Sequence, residues 1–102
     1  MNKEYTVAKV SEIPPGNSKT VEVDGEWIAI FNVGGTFYAT SDTCSHAQAS
    51  LAEGSVEDHV VTCPLHGAKF DLKTGKALCM PAVSPIFTYL IKIEGDEIKI
   101  VL

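Results

Sequence analysis

Apolar and polar residues alternate along most of the chain with a period of two, the signature of half-buried strands. Residues 5–10 make a first such segment, ended by Ile13-Pro14-Pro15-Gly16. In residues 18–23, Val21 and Val23 share one face and Glu22 takes the other. The most apolar segment is 27–33: Trp27, Ala29, Phe31 and Val33 fall on one face, Ile28 and Ile30 on the other. A strand apolar on both sides is expected to be buried on both. Phe37 alternates with Tyr38 in residues 36–40. Shorter strands are predicted at 54–57, 60–63 and 69–72, and a last hairpin at 86–94 and 97–102, with Phe87, Tyr89, Ile91 and Ile93 on one face of its first strand and Ile98 and Ile100 on one face of its second.

The turns between these segments are strong signals. Asp24-Gly25 and Gly34-Gly35 read as two-residue hairpin turns. Asp58-His59 and Gly95-Asp96 read as two further reversals, and Lys73-Thr74-Gly75 ends the 69–72 strand. Helical spacing reaches one turn at most, near residues 47–51. Residues 76–85, with Pro81 and Pro85, read as an irregular loop. Short strands with turn signals every few residues predict a small all-β domain, an antiparallel sandwich or barrel. The pattern breaks once, over about residues 41–70, which read as an insert carried by that scaffold.

Composition narrows the function classes. The 102 residues suit one domain. Acidic residues outnumber basic ones and the net charge is −5, which argues against nucleic acid or an anionic membrane as partner. It fits a positively charged protein surface. No apolar run reaches the length of a spanning helix. The start shows no leader-like apolar region, so a cytoplasmic protein is expected. Three cysteines, two of them in ligand-like pairs, do not suggest a disulfide framework.

The insert holds the chemistry. Cys44-Ser45-His46 and Cys63-Pro64-Leu65-His66-Gly67 are two compact ligand pairs, separated by sixteen residues. Residues i and i+2 of an extended segment point the same way, so Cys44 and His46 can face one site. Cys63 and His66 suit a tight turn, and Gly67 lets backbone pass close by. Each loop thus offers one sulfur and one nitrogen. Such a set can close a tetrahedral zinc site or hold a small iron–sulfur cluster.

The arrangement resembles the Rieske 2Fe–2S signature, C-x-H followed by C-P-x-H-G. The resemblance continues through Phe70-Asp71-Leu72-Lys73-Thr74-Gly75, through Pro81-Ala82 and Pro85 as a proline loop over the cluster, and into Tyr89 and the terminal hairpin. By size the chain is similar to a stand-alone Rieske-type ferredoxin of a ring-hydroxylating oxygenase. The resemblance implies one 2Fe–2S cluster. It places Cys44 and Cys63 on the inner iron and His46 and His66 on the outer one through Nδ1. It also implies an electron carrier that is not itself an enzyme, fed by a flavin-dependent reductase and serving a terminal oxygenase of aromatic catabolism. With no second iron site or nucleotide loop in the sequence, such a carrier needs both partners. A monomer is expected.

Departures from the respiratory branch of that family matter for the potential. Ala49 and Leu65 stand where that branch has a disulfide, and Ala68 where it has a serine bonded to a sulfide. Fewer donors to sulfur predict a midpoint low in the Rieske range, roughly −150 mV. Ser45 and Ala47 are minor departures. Two other functions stay open at this point: the small Rieske-like subunit of an assimilatory nitrite reductase, and a zinc-stabilised interaction module. Of the remaining residues, His59 is expected at an exposed turn and Lys69 on a solvated strand. Cys79 is expected as a small buried hydrophobe, and Trp27 in the core.

Overall fold

The structure is a computed structural model that describes residues 3–43, 50–64, 67–79 and 85–102. Its strands are β1 (Glu4–Lys9), β2 (Ser18–Val23), β3 (Glu26–Val33), β4 (Thr36–Ser41), β5 (Ser55–Glu57), β6 (Val60–Thr62), β7 (Lys69–Asp71), β8 (Ala77–Cys79), β9 (Thr88–Glu94) and β10 (Glu97–Val101). Two single turns of 3₁₀ helix join them, Val10–Glu12 and Leu51–Glu53. All the pairings are antiparallel. The all-β expectation is met.

Six strands form one sheet in the order β1-β10-β9-β4-β3-β2. Its edge strands β1 and β2 come together, so the sheet is a nearly closed barrel. The link between them is pinned: Ser11 bonds Asp96 through its backbone N–H and its hydroxyl. The hairpin turns fall where the sequence predicts. Val23 pairs with Glu26 across Asp24-Gly25, and Val33 with Thr36 across Gly34-Gly35. The four short strands form a second sheet, β5-β6-β7-β8.

The strand β3 explains how the two sheets share one molecule. Its Ile28 and Ile30 point into the barrel, against Ile98, Ile100, Ala39 and Val23. Its Ala29 and Phe31 point out, against Leu51, Val61 and Phe70 of the inserted segment and Leu72 and Ile86 beyond it. All four of these β3 residues are buried, as expected for a strand apolar on both faces. Two cores therefore lie back to back across one strand, and the second sheet is fixed to the barrel through Ala29 and Phe31.

Three expectations need correction. Trp27 is 56% exposed, not core; it opens β3 beyond the part that the second sheet covers. Residues 77–79 form β8 instead of loop, because β7 offers a free edge that Ala77 and Cys79 pair with. The predicted apolar face of the last hairpin is buried only in part. Tyr89 and Ile91 are half-buried, whereas Phe87 and Ile93 are exposed, since β9 pairs with β4 only at Tyr89 and Thr88.

Candidate metal centre

The four sequence-predicted ligands fall differently with respect to the described residues. Cys63 lies within them; Cys44, His46 and His66 lie outside, as do Ala49, Leu65, Pro81 and Ala82. The side chain of Cys79 is also outside. The structure does describe the bases of both ligand loops, and these decide whether the loops can act together.

The first loop leaves β4 at Ser41 and returns at Ser50. Thr43 and Ser50 pair as an isolated antiparallel bridge, which closes its neck. Asp42 holds that neck from within. It is 8% exposed, and its Oδ1 accepts from Ser50 Oγ at 2.8 Å, Ala52 N at 3.2 Å and Thr20 Oγ1 at 3.3 Å. Its backbone carbonyl accepts from Leu51 N at 2.7 Å, and its own N–H donates to the Trp27 carbonyl at 3.0 Å. One buried carboxylate thus ties the loop's entry to its exit and to β2. Charged acceptors make the stronger hydrogen bonds, and this one sits two residues before Cys44. Sequence reasoning passed over Asp42. The only available signal was an Asp beside Ser41 at a strand end, which also fits an ordinary turn.

The second loop joins β6 to β7. Thr62 pairs with Lys69, and Cys63 N donates to the Ala68 carbonyl at 2.7 Å. Cys63 is 1% exposed, so its sulfur enters from the buried side of the loop. Gly67 adopts φ +71°, a left-handed conformation that a side chain disfavours. Pro64 is exposed on the outer side.

The two necks are packed together. Leu51, Cys63 and Ala68 belong to one buried cluster. Gly54 brings the exit of the first loop onto β6: a Cβ there would overlap the Thr62 carbonyl. A third segment ends at the same place. Ile86, just past Pro85, joins the cluster, and its N–H donates to the Gly75 carbonyl at 2.8 Å. Phe87 accepts from Ser41 N at 2.9 Å. The chain at Ile86 and Phe87 therefore lies beside Ser41, the entry of the first ligand loop.

This construction fits a 2Fe–2S cluster with mixed ligands. Two necks are clamped side by side, each leads into a loop that carries one Cys and one His, and the described Cys is buried at the inner side. Thiolate sulfur and imidazole nitrogen are the donors such a group takes. Among the described residues no three His, Cys, Asp or Glu side chains gather into another metal site. His59 lies at the β5–β6 turn with Nε2 3.6 Å from Asp71 Oδ2, a partly exposed pair, as expected of a turn residue.

Comparison with known proteins agrees with the geometry. The family model for the Rieske [2Fe-2S] domain matches residues 3–90. The 3-phenylpropionate/cinnamic acid dioxygenase ferredoxin subunit of Escherichia coli K12 is 50% identical over 101 residues, which cover 98% of this chain and 93% of that one. The ferredoxin of carbazole 1,9a-dioxygenase from Nocardioides aromaticivorans IC177 superposes with a TM-score of 0.91 at 33% identity, covering 96% of both chains. A complex of reduced oxygenase and oxidized ferredoxin in carbazole 1,9a-dioxygenase contains a chain that matches with a TM-score of 0.89 at 34% identity, covering 95% of this chain and 91% of that one.

Proposed function

The chain belongs to the Rieske [2Fe-2S] family, and we propose that it holds its cluster through Cys44, His46, Cys63 and His66 and carries single electrons to a terminal ring-hydroxylating oxygenase. It is an electron-transfer component and not an oxygenase in its own right. When bound, the cluster supplies a one-electron redox centre that cycles without bond chemistry.

The residues of the chain do the rest. Cys63 supplies its sulfur from the buried side, and Cys44 is its counterpart on the first loop. His46 and His66 supply neutral imidazole nitrogen, which leaves less negative charge on the site than four thiolates would. The Asp42 clamp closes the first neck, the Cys63–Ala68 hydrogen bond closes the second, and the shared cluster of Leu51, Cys63 and Ala68 packs them together, a rigid base that suits electron transfer with little rearrangement. The buried cluster of Leu51, Val61, Phe70 and Ile86 keeps water from the inner side.

The electron donor in this reading is a flavin-dependent reductase, and the acceptor is an oxygenase of the phenylpropionate or carbazole type. A cytoplasmic monomer suits the role, and among the described residues no helix is long and apolar enough to cross a membrane. The single observation that carries the reading is the 50% identity to a dioxygenase ferredoxin subunit along nearly the whole chain. It favours the oxygenase ferredoxin over the nitrite reductase subunit and over a zinc module. The test is mutation of the ligands. Cys63→Ala and His66→Ala should each abolish the visible absorption and the electron-spin signal of the reduced protein; a normal spectrum in either variant would refute the ligand assignment. Purified chain with NADH should turn over no aromatic substrate until reductase and oxygenase are both added.

A further inference from the structure

The two most prominent exposed aromatic side chains lie together. Trp27 is 56% exposed and Phe87 is 77% exposed. They line one shallow hollow of about 250 Å³, with Thr43 and Glu26 at its edges. Both sit on backbone that is locked: Asp42 N donates to the Trp27 carbonyl, and Ser41 N to the Phe87 carbonyl. A large apolar pair left at the surface gains by being covered, and the fixed backbone beneath it leaves no main-chain segment to order when a partner arrives.

Place and charge say what covers it. Thr43 directly precedes the proposed ligand Cys44, and Phe87 lies just past Pro85, so the pair borders the two segments that lead to the cluster loops. The rim is acidic. Glu26 lines the hollow, and Asp24 with Glu26 lines the adjoining one. Glu26 is held by the Tyr89 hydroxyl at 2.7 Å, and among the described residues neither it nor Asp24 has a cationic partner. No lysine lines either hollow. A second copy of this chain would set acidic rim against acidic rim, with −5 on each molecule, which disfavours self-association.

We propose that the Trp27–Phe87 pair with its Asp24–Glu26 rim is the seat of the terminal oxygenase, receiving an apolar projection flanked by Lys or Arg. This rests on the ferredoxin reading above and adds the surface that reading leaves open. Aromatic anchors inside a charged rim are the usual build of an interface hot spot, the anchors setting residence time and the rim setting encounter rate.

The test uses the cluster-loaded protein and the oxygenase component of 3-phenylpropionate/cinnamic acid dioxygenase. Dithionite-reduced wild type and the double variant Trp27→Ser/Phe87→Ser are mixed rapidly with oxidised oxygenase over a range of concentrations. One electron leaves the ferredoxin and reduces the oxygenase. Both side chains are exposed, so the variant should keep its fold, visible spectrum and midpoint potential. The apparent dissociation constant should rise roughly tenfold or more, with the limiting rate unchanged. A separate variant, Asp24→Lys/Glu26→Lys, should slow the encounter at low salt and flatten its salt dependence. Unchanged binding in the aromatic variant, beside working wild type, overturns the proposal alone. A loss seen only in reduction by the flavin reductase overturns it in favour of that partner. Failure of the wild type itself to reduce the oxygenase overturns the ferredoxin reading and this surface with it.

Discussion

Asp42 Oδ1 accepts hydrogen bonds from Thr20, Ser50 and Ala52, all in one nearly buried place. Replacing it with Ala strands those donors, at a cost of roughly 1–3 kcal/mol for unsatisfied buried groups. Asp42→Ala should therefore unfold at lower denaturant and bind less iron per chain, while Asp42→Asn, which keeps one acceptor oxygen, should fall between. Tyr89 gives a prediction in pH. Burial, and then the Glu26 carboxylate beside it, push its phenol up to about 12. A pKa raised on folding means the folded state holds the proton more tightly, so the contribution is complete below about pH 10, the unfolded value, and is lost as pH rises toward 12. The stability difference between wild type and Tyr89→Phe, measured by urea unfolding, should be constant below pH 10 and shrink above it. A difference that grows there would reverse the assignment.

At the scale of elements, legibility followed periodicity. The hairpins around Asp24-Gly25 and Gly34-Gly35 could be read because the turn residues and the alternation agree. The strand β8 could not, because its three residues, Ala77, Leu78 and Cys79, carry no period and lie ahead of Pro81 and Pro85; the free edge of β7 makes them a strand. Trp27 misled for a related reason. Its place on the Ala29–Phe31 face was right, but a face is buried only as far as the opposing sheet extends, and the second sheet's reach is not written in β3. The proposed ligands stand out in the sequence by spacing and by resemblance to the family signature, whereas the Asp42 clamp beside them depends on tertiary partners far off in sequence, such as Thr20. Gly54 is another such support. Gly54→Ala forces the first loop's exit away from the Thr62 carbonyl, and should cost roughly 1–3 kcal/mol by the usual penalty of overpacking. A thermal melt unchanged from wild type would show that the necks are not in register with one another.

At the scale of the molecule, the barrel acts as a platform and β3 as the wall between two cores. The inner core closes the barrel, and the outer one seats the segment that carries the proposed ligands. That division lets the necks of the two proposed ligand loops pack against each other, beside an acidic and aromatic surface, without weakening the barrel. The electronic setting follows from the second neck. Ala68 is buried and its carbonyl accepts from Cys63 N, but its side chain offers no hydroxyl to a sulfur. The midpoint should lie at roughly −150 mV, and Ala68→Ser should raise it; protein-film voltammetry reads both, and a wild-type midpoint above zero would contradict this electronic setting. The most direct test of the whole account is electron–nuclear double resonance on the reduced chain labelled with ¹⁵N-histidine. Two strongly coupled histidine nitrogens, retained in His59→Ala, are the predicted result. A spin signal without histidine coupling, or no spin signal at all from well-folded anaerobic protein, would contradict it.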